Sequence, residues 1–102
     1  MVAKKRKSES EETPPPVQRS PGFSKQLKTD LASGFKTDYK KAAKILDMVT
    51  AVIAKPFQGI EKPEPLKYLD ADIWSRRIDL EHRLVYRVGN TQIDFLACRF
   101  DY

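Results

Sequence analysis

The chain has 102 residues, 40% hydrophobic and 32% charged, with a formal net charge of +5. That suits one small domain with a modest core and no membrane span, since no stretch approaches the roughly 18 to 20 consecutive apolar residues a bilayer requires. A charged start without an apolar region argues against a secretory signal, and the single cysteine, Cys98, excludes an internal disulfide and favours a reducing, cytoplasmic setting.

Residues 1–16 (MVAKKRKSESEETPPP) combine charge, serine and a triple proline, the composition of a disordered leader. Its KKRK run is offset by the adjacent acidic block and reads as a solvated tail in preference to a localisation signal or nucleic-acid arm. The leader carries a net +1, so +4 belongs to the remaining 86 residues. A basic domain of this kind suits a polyanion, nucleic acid first.

Residues 17–102 form the expected domain. Val17 to Ser20 suggests a short edge strand. Ser20 or Ser24 is suited to capping a first helix, with Pro21 at its first position and Gly34 as its stop. A second helix is predicted over about 38–54, where Ala42, Ile45, Leu46, Val49, Val52 and Ile53 make one apolar stripe. Lys36, Lys40, Lys41 and Lys44 lie off that stripe, and Pro56 ends the helix. The two helices are expected to form a hairpin covering one face of a sheet.

Residues 56–72, rich in Pro and Gly, read as a connecting loop. Strands are predicted over about 73–78, 83–88 and 92–100, with Gly89-Asn90 as a tight turn. In the middle strand His82, Leu84, Tyr86 and Val88 alternate toward the helices. Arg83, Val85 and Arg87 then occupy an open face.

Five of the seven arginines (Arg76, Arg77, Arg83, Arg87, Arg99) fall between positions 76 and 99, while all twelve lysines lie at or before Lys67. Arginine's planar fork grips phosphate in two places, which a lysine point charge cannot do. Cutting RNA without a metal needs a base for the 2′-hydroxyl, an acid for the leaving 5′-oxygen and cations for the phosphorane. Glu64, braced by Pro63 and Pro65, is a candidate base. Lys67 and Arg83 are suited to phosphate, and Tyr102 to hydrogen bonding or stacking on a base. The bland alternative leaves Glu64 in a surface loop and pairs Arg83 with a carboxylate such as Asp94.

Other chemistries fit less well. One His and one Cys do not make a zinc site. Asp70, Asp72 and Asp79 read as solvated or capping acids, and Gly89 is isolated in a turn, with no phosphate loop around it. Cys98 and His82 read as packed structural residues, and Trp74 as core or rim packing.

Several blocks, in order, resemble the YoeB/Txe branch of the RelE/ParE toxin superfamily. They are Pro56-Phe57 followed by a glycine, KPEPLK at 62–67, WSRRI at 74–78, EHRLVYRV at 81–88, and ACR at 97–99 before a terminal tyrosine. The resemblance implies an α+β, microbial-RNase-like fold, with a helical hairpin packed on one face of a small, mainly antiparallel sheet. It implies the toxin of a bacterial type II toxin–antitoxin pair that enters the 70S ribosomal A site and cuts mRNA there, without metal or cofactor. Its partners are then a cognate antitoxin and, through that complex, operator DNA, with a homodimer or a hetero-oligomer as the assembly.

By motif position the resemblance makes Glu64 the general base and Arg83 the transition-state stabiliser. Tyr102 becomes the residue that places substrate, and Glu81 the one that orients Arg83. Lys67, Arg77 and Arg99 become supporting RNA or phosphate contacts. One departure stands out: where the family ends in His-Tyr and the histidine serves as acid, this chain has Asp101-Tyr102. Aspartates ionise near pH 4, so Asp101 is a poor donor at neutral pH unless burial intervenes. The alternative reading is therefore a weakened toxin homologue that binds antitoxin, operator DNA or ribosome. The gyrase-directed ParE side fits less well, because the KPEPLK and EHRLVY blocks follow the RNase branch.

Overall fold

A computed structural model of the chain describes residues 18–59 and 61–98. The leader with its KKRK run, Val17, and the C-terminal Arg99, Asp101 and Tyr102 lie outside the described residues.

The first strand, β1, is Ser20–Phe23. It runs parallel to the last, β5 (Gln92–Ala97), and sits at the edge of the sheet. Pro21, expected to open a helix, belongs to β1. An edge strand has one unpaired side, so a missing N–H is tolerated there. Ser24 is the helix cap: its Oγ accepts the Leu27 N–H at 3.0 Å and starts α1 (Lys25–Thr37).

Gly34, expected to stop α1, lies inside it. Glycine weakens a helix by about 0.5–1 kcal/mol but does not end one unless the backbone turns away. That turn comes at Asp38, with φ −150°. The Asp38 N–H donates to the Gly34 carbonyl at 2.7 Å, and its Oδ1 accepts the Lys41 N–H at 3.2 Å. One residue thus closes α1 and caps α2 (Tyr39–Ala54).

The apolar stripe of α2 buries Ala42, Ile45, Met48, Val49 and Val52. Leu46 and Ile53 fall at its margins: Leu46 is 40% exposed, and Ile53 is partly buried against the core. Met48 fills the central position the sequence pattern gave them. Together with Leu27 of α1, this stripe packs on Ile78, Leu84, Tyr86, Val88, Ile93 and Phe95. The helical hairpin therefore covers one face of a five-stranded sheet, mostly antiparallel, in the order β1-β5-β4-β3-β2.

Strands β3 (Ile73–Arg77) and β4 (Arg83–Val88) fall where expected. Two features of the sheet were not. Within the supposed loop, Glu64–Pro65 forms a two-residue strand, β2, antiparallel to β3. A β-bulge also interrupts the β4–β5 pairing: Tyr86 faces Phe95, but Val85 faces Ala97. Leu96 is the extra residue. The shift puts Ala97 with Val85 in a small second core and returns Cys98 to the helix side. Ser24 Oγ donates to the Leu96 carbonyl at 2.8 Å, so the cap of α1 also satisfies the bulge.

Arg76 corrects the expectation that this arginine group is free for phosphate. It is 2% exposed and points into the helix side of the sheet. Its guanidinium donates to the Lys55 carbonyl, to the Gln58 carbonyl at 2.7 Å and to the Tyr86 hydroxyl at 3.3 Å. Tyr86 in turn donates to the Pro56 carbonyl at 2.7 Å. A buried cation is thereby placed at the negative end of α2 and ties down the segment that follows it. Burial raises the Tyr86 pKa, with Arg76 opposing. Replacing Arg76 by Met is expected to destabilise the fold by on the order of 3 kcal/mol, because it removes the hydrogen bonds that this buried guanidinium makes to the Lys55 and Gln58 carbonyls and to the buried Tyr86 hydroxyl. Urea unfolding of the variant beside the parent measures this, and an unchanged midpoint would contradict it.

Candidate active site

Glu64 sits between Pro63 and Pro65, which fix φ on either side of it. Pairing of β2 with β3 sets Glu64 opposite Ser75. On the far side of β3, Arg83 opens β4 opposite Arg77. Ile73, Ser75 and Arg77 alternate onto the face away from the helices, as Arg83, Val85 and Arg87 do on β4. Arg83 reaches diagonally across that face, and its Nε donates to Ser75 Oγ at 2.9 Å. Its Nη2 donates to Glu64 Oε1, closing an ion pair across three strands.

Exposure divides the roles within this pair. The Arg83 side chain is 13% exposed and that of Glu64 is 60% exposed. The guanidinium forms a fixed floor, whereas the carboxylate meets solvent. A cleft of about 220 Å³ opens over them, lined by Glu61, Lys62, Glu64, Arg77 and Arg83. Glu61 and Lys62 have φ of 65° and 35°, a left-handed backbone that residues with side chains disfavour. Lys44 lies 3.9 Å from Glu61.

Of the residues singled out in the sequence, Glu64, Arg83 and Arg77 are brought together here. Lys67 is exposed in the turn after β2 and does not line the cleft. Glu81, expected to orient Arg83, lies exposed in the β3–β4 turn, where its backbone N–H donates to Asp79. Ser75 and Glu64 hold Arg83 instead. Asp94, the bland partner considered for Arg83, accepts from the Gln92 side chain at 2.5 Å. Arg99, Asp101 and Tyr102 lie outside the described residues. Sequence reasoning missed Ser75, Glu61 and Lys62. Alternation along β3, which places Ser75 on the same face as Arg77 two residues later, is the signal that points to it.

A second cavity, of about 150 Å³, lies on the helix side, between the hairpin and the β3–β4 turn. His82 and Cys98 line it. His82 Nδ1 lies 3.0 Å from Asp79 Oδ1, and Lys41 Nζ lies 2.8 Å from Asp79 Oδ2. The Lys41 ammonium, helped by the backbone N–H groups of Glu81 and His82, holds the Asp79 carboxyl well below the usual carboxylate range. The same bond raises the Lys41 pKa. This network fastens the turn to α2, as a structural reading of His82 predicts. Trp74 packs against Phe57 at 5.0 Å between centroids and borders the main core.

A helical hairpin on one face of the sheet and a carboxylate–guanidinium cleft on the other define a small basic α+β domain with a site suited to phosphate chemistry. Residues 23–102 match the family model described as the YoeB-like toxin of bacterial type II toxin–antitoxin systems. A "Toxin YoeB" from Mycobacterium bovis is 40% identical over 84 residues, covering 82% of this chain and 99% of that protein. The solved YoeB/ParE toxin from Agrobacterium tumefaciens superposes with a TM-score of 0.76 at 38% identity, covering 81% of this chain and 99% of that one. The toxin in a heterotetrameric YoeB–YefM complex from Staphylococcus aureus gives 0.72 at 34% identity, with 83% and 99% covered. The chain belongs to the YoeB-like toxin family of type II toxin–antitoxin systems.

Proposed function

We propose that the domain over residues 17–102 is a ribosome-dependent mRNA endonuclease of the cytoplasm, which cuts in the A site and stops translation. The observation that carries this reading is the Glu64–Arg83 pair, held on the buried Ser75 in an open cleft. In the proposed reaction Glu64 takes the proton of the 2′-hydroxyl, whose oxygen attacks the neighbouring phosphorus. Arg83 and Arg77 stabilise the charge that builds on the phosphorane oxygens. Departure of the 5′-oxygen, which must gain a proton, leaves a 2′,3′-cyclic phosphate. Asp101 occupies the sequence position of the acid, and Tyr102 places the substrate. Lys62, Lys67 and Arg99 supply further positive charge toward the RNA.

The proposed partner in restraint is an antitoxin, as in the S. aureus YoeB–YefM complex, and the pair would bind operator DNA. A second reading, a toxin that binds ribosome or antitoxin with weakened cleavage, is favoured by Asp101 alone. Primer extension on mRNA from programmed 70S ribosomes tests both. Cuts within the A-site codon are expected from the purified chain. Ribosome binding without cuts would favour the second reading.

A further inference from the structure

Ser75 is fully buried, yet its hydroxyl is committed to a charged side chain at the floor of the cleft. Burying a hydroxyl where alanine would fit has a cost unless its hydrogen bond is useful. The two contacts on Arg83 use its Nε and its Nη2. These N–H groups form the side-on edge of the guanidinium. Nη1, at the end-on edge, enters neither contact. Either edge matches two oxygens of a phosphate or carboxylate.

We infer that Ser75 is a positioning residue: it anchors the side-on edge of Arg83 so that the end-on edge meets the scissile phosphate while Glu64 keeps only a single-bonded partner. Without the Ser75 hydroxyl, Nε–H is released. The whole side-on edge then closes on Glu64 as a two-bond pair, which turns the guanidinium from the phosphate and engages both oxygens of the base. This inference rests on the nuclease reading above. It predicts a loss in the chemical step in preference to binding.

Ser75→Ala is expected to lower the single-turnover cleavage rate on programmed ribosomes by about 10- to 100-fold, the usual cost of slight misplacement, with ribosome affinity unchanged. Ser75→Cys keeps the shape with a weaker acceptor and is expected to give the same pattern in milder form. In an Arg83→Lys background, which has no Nε–H, Ser75→Ala is expected to cost less than about twofold more. An equal loss in both backgrounds would make Ser75 merely structural and overturn the inference. A readout independent of cleavage is the Arg83 Nε–H NMR signal, assigned by its absence in Arg83→Lys. It is expected to be protected from exchange in the parent chain and unprotected in Ser75→Ala, with the amide spectrum otherwise retained. Protection that survives Ser75→Ala also overturns the inference. If protection is lost as expected but the parent chain cuts no mRNA, the nuclease reading is what fails.

Discussion

Glu64→Gln is expected to lower mRNA cleavage by about 10²- to 10⁴-fold, the range for losing a general base. The substitution separates two functions of one side chain. A carboxamide oxygen still accepts the Nη2–H of Arg83, so the pair across β2, β3 and β4 persists, but an amide cannot take a proton from a 2′-hydroxyl. Glu64 is 60% exposed, so its charge contributes little to stability and the melting temperature is expected to stay within a few degrees. Single-turnover cleavage on programmed 70S ribosomes, measured beside a thermal melt, gives both quantities. Full activity in Glu64→Gln would remove Glu64 from the role of base. Arg83→Lys in the same assay is expected to lose about 10²- to 10³-fold, because an ammonium lacks the two-bond fork aimed at developing charge.

The opposite effect is expected from Asp101→His. The chain ends Asp101-Tyr102, and a carboxylate that ionises near pH 4 is a poor proton donor at neutral pH. In the proposed site it would also bring a negative charge toward the RNA phosphate. Imidazole, with a pKa near 6.5, is still about one-quarter protonated at pH 7 and adds positive charge when it is. A gain of about 10²- to 10⁴-fold at neutral pH is the ceiling set by a fully restored acid. The pH profile adds a second sign. An aspartate acting as acid loses activity once pH rises above its pKa, so the unsubstituted chain should cut faster as pH falls from neutrality. Asp101→His should move that dependence to higher pH. No gain, together with strong cleavage by the unsubstituted chain, would show that Asp101 already serves as the acid or that another group or water supplies the proton.

Much of the scaffold was legible in local pattern. The stripe from Ala42 to Val52 marked α2, because a 3.6-residue period survives any tertiary arrangement. Alternation along β4 assigned Leu84, Tyr86 and Val88 to the core and Arg83 to the open face. The order of the sequence blocks pointed to the YoeB-like toxin family, to which the chain belongs. Helix ends were less legible. Pro21 and Gly34 carry strong local preferences, but an unpaired sheet edge accommodated the first and Asp38 set the end that the second was expected to set.

The sequence by itself determined the helical hairpin, the strands β3 to β5, the basic charge of the domain, and a short set of candidate residues with Glu64 and Arg83 at its head. These depend on composition and on periods that act over a few residues. Tertiary structure alone decided which candidates meet. Glu64 and Arg83 stand 19 residues apart and join only because β2, too short to have a period, pairs with β3 in one register. The same pairing made Ser75 the anchor of Arg83. Packing of α2 on the sheet drew Arg76 inward to its terminal carbonyls and left Arg77, its neighbour, at the cleft. Two adjacent arginines are alike in sequence, but a strand sends them to opposite faces, and only the location of the core decides which is buried.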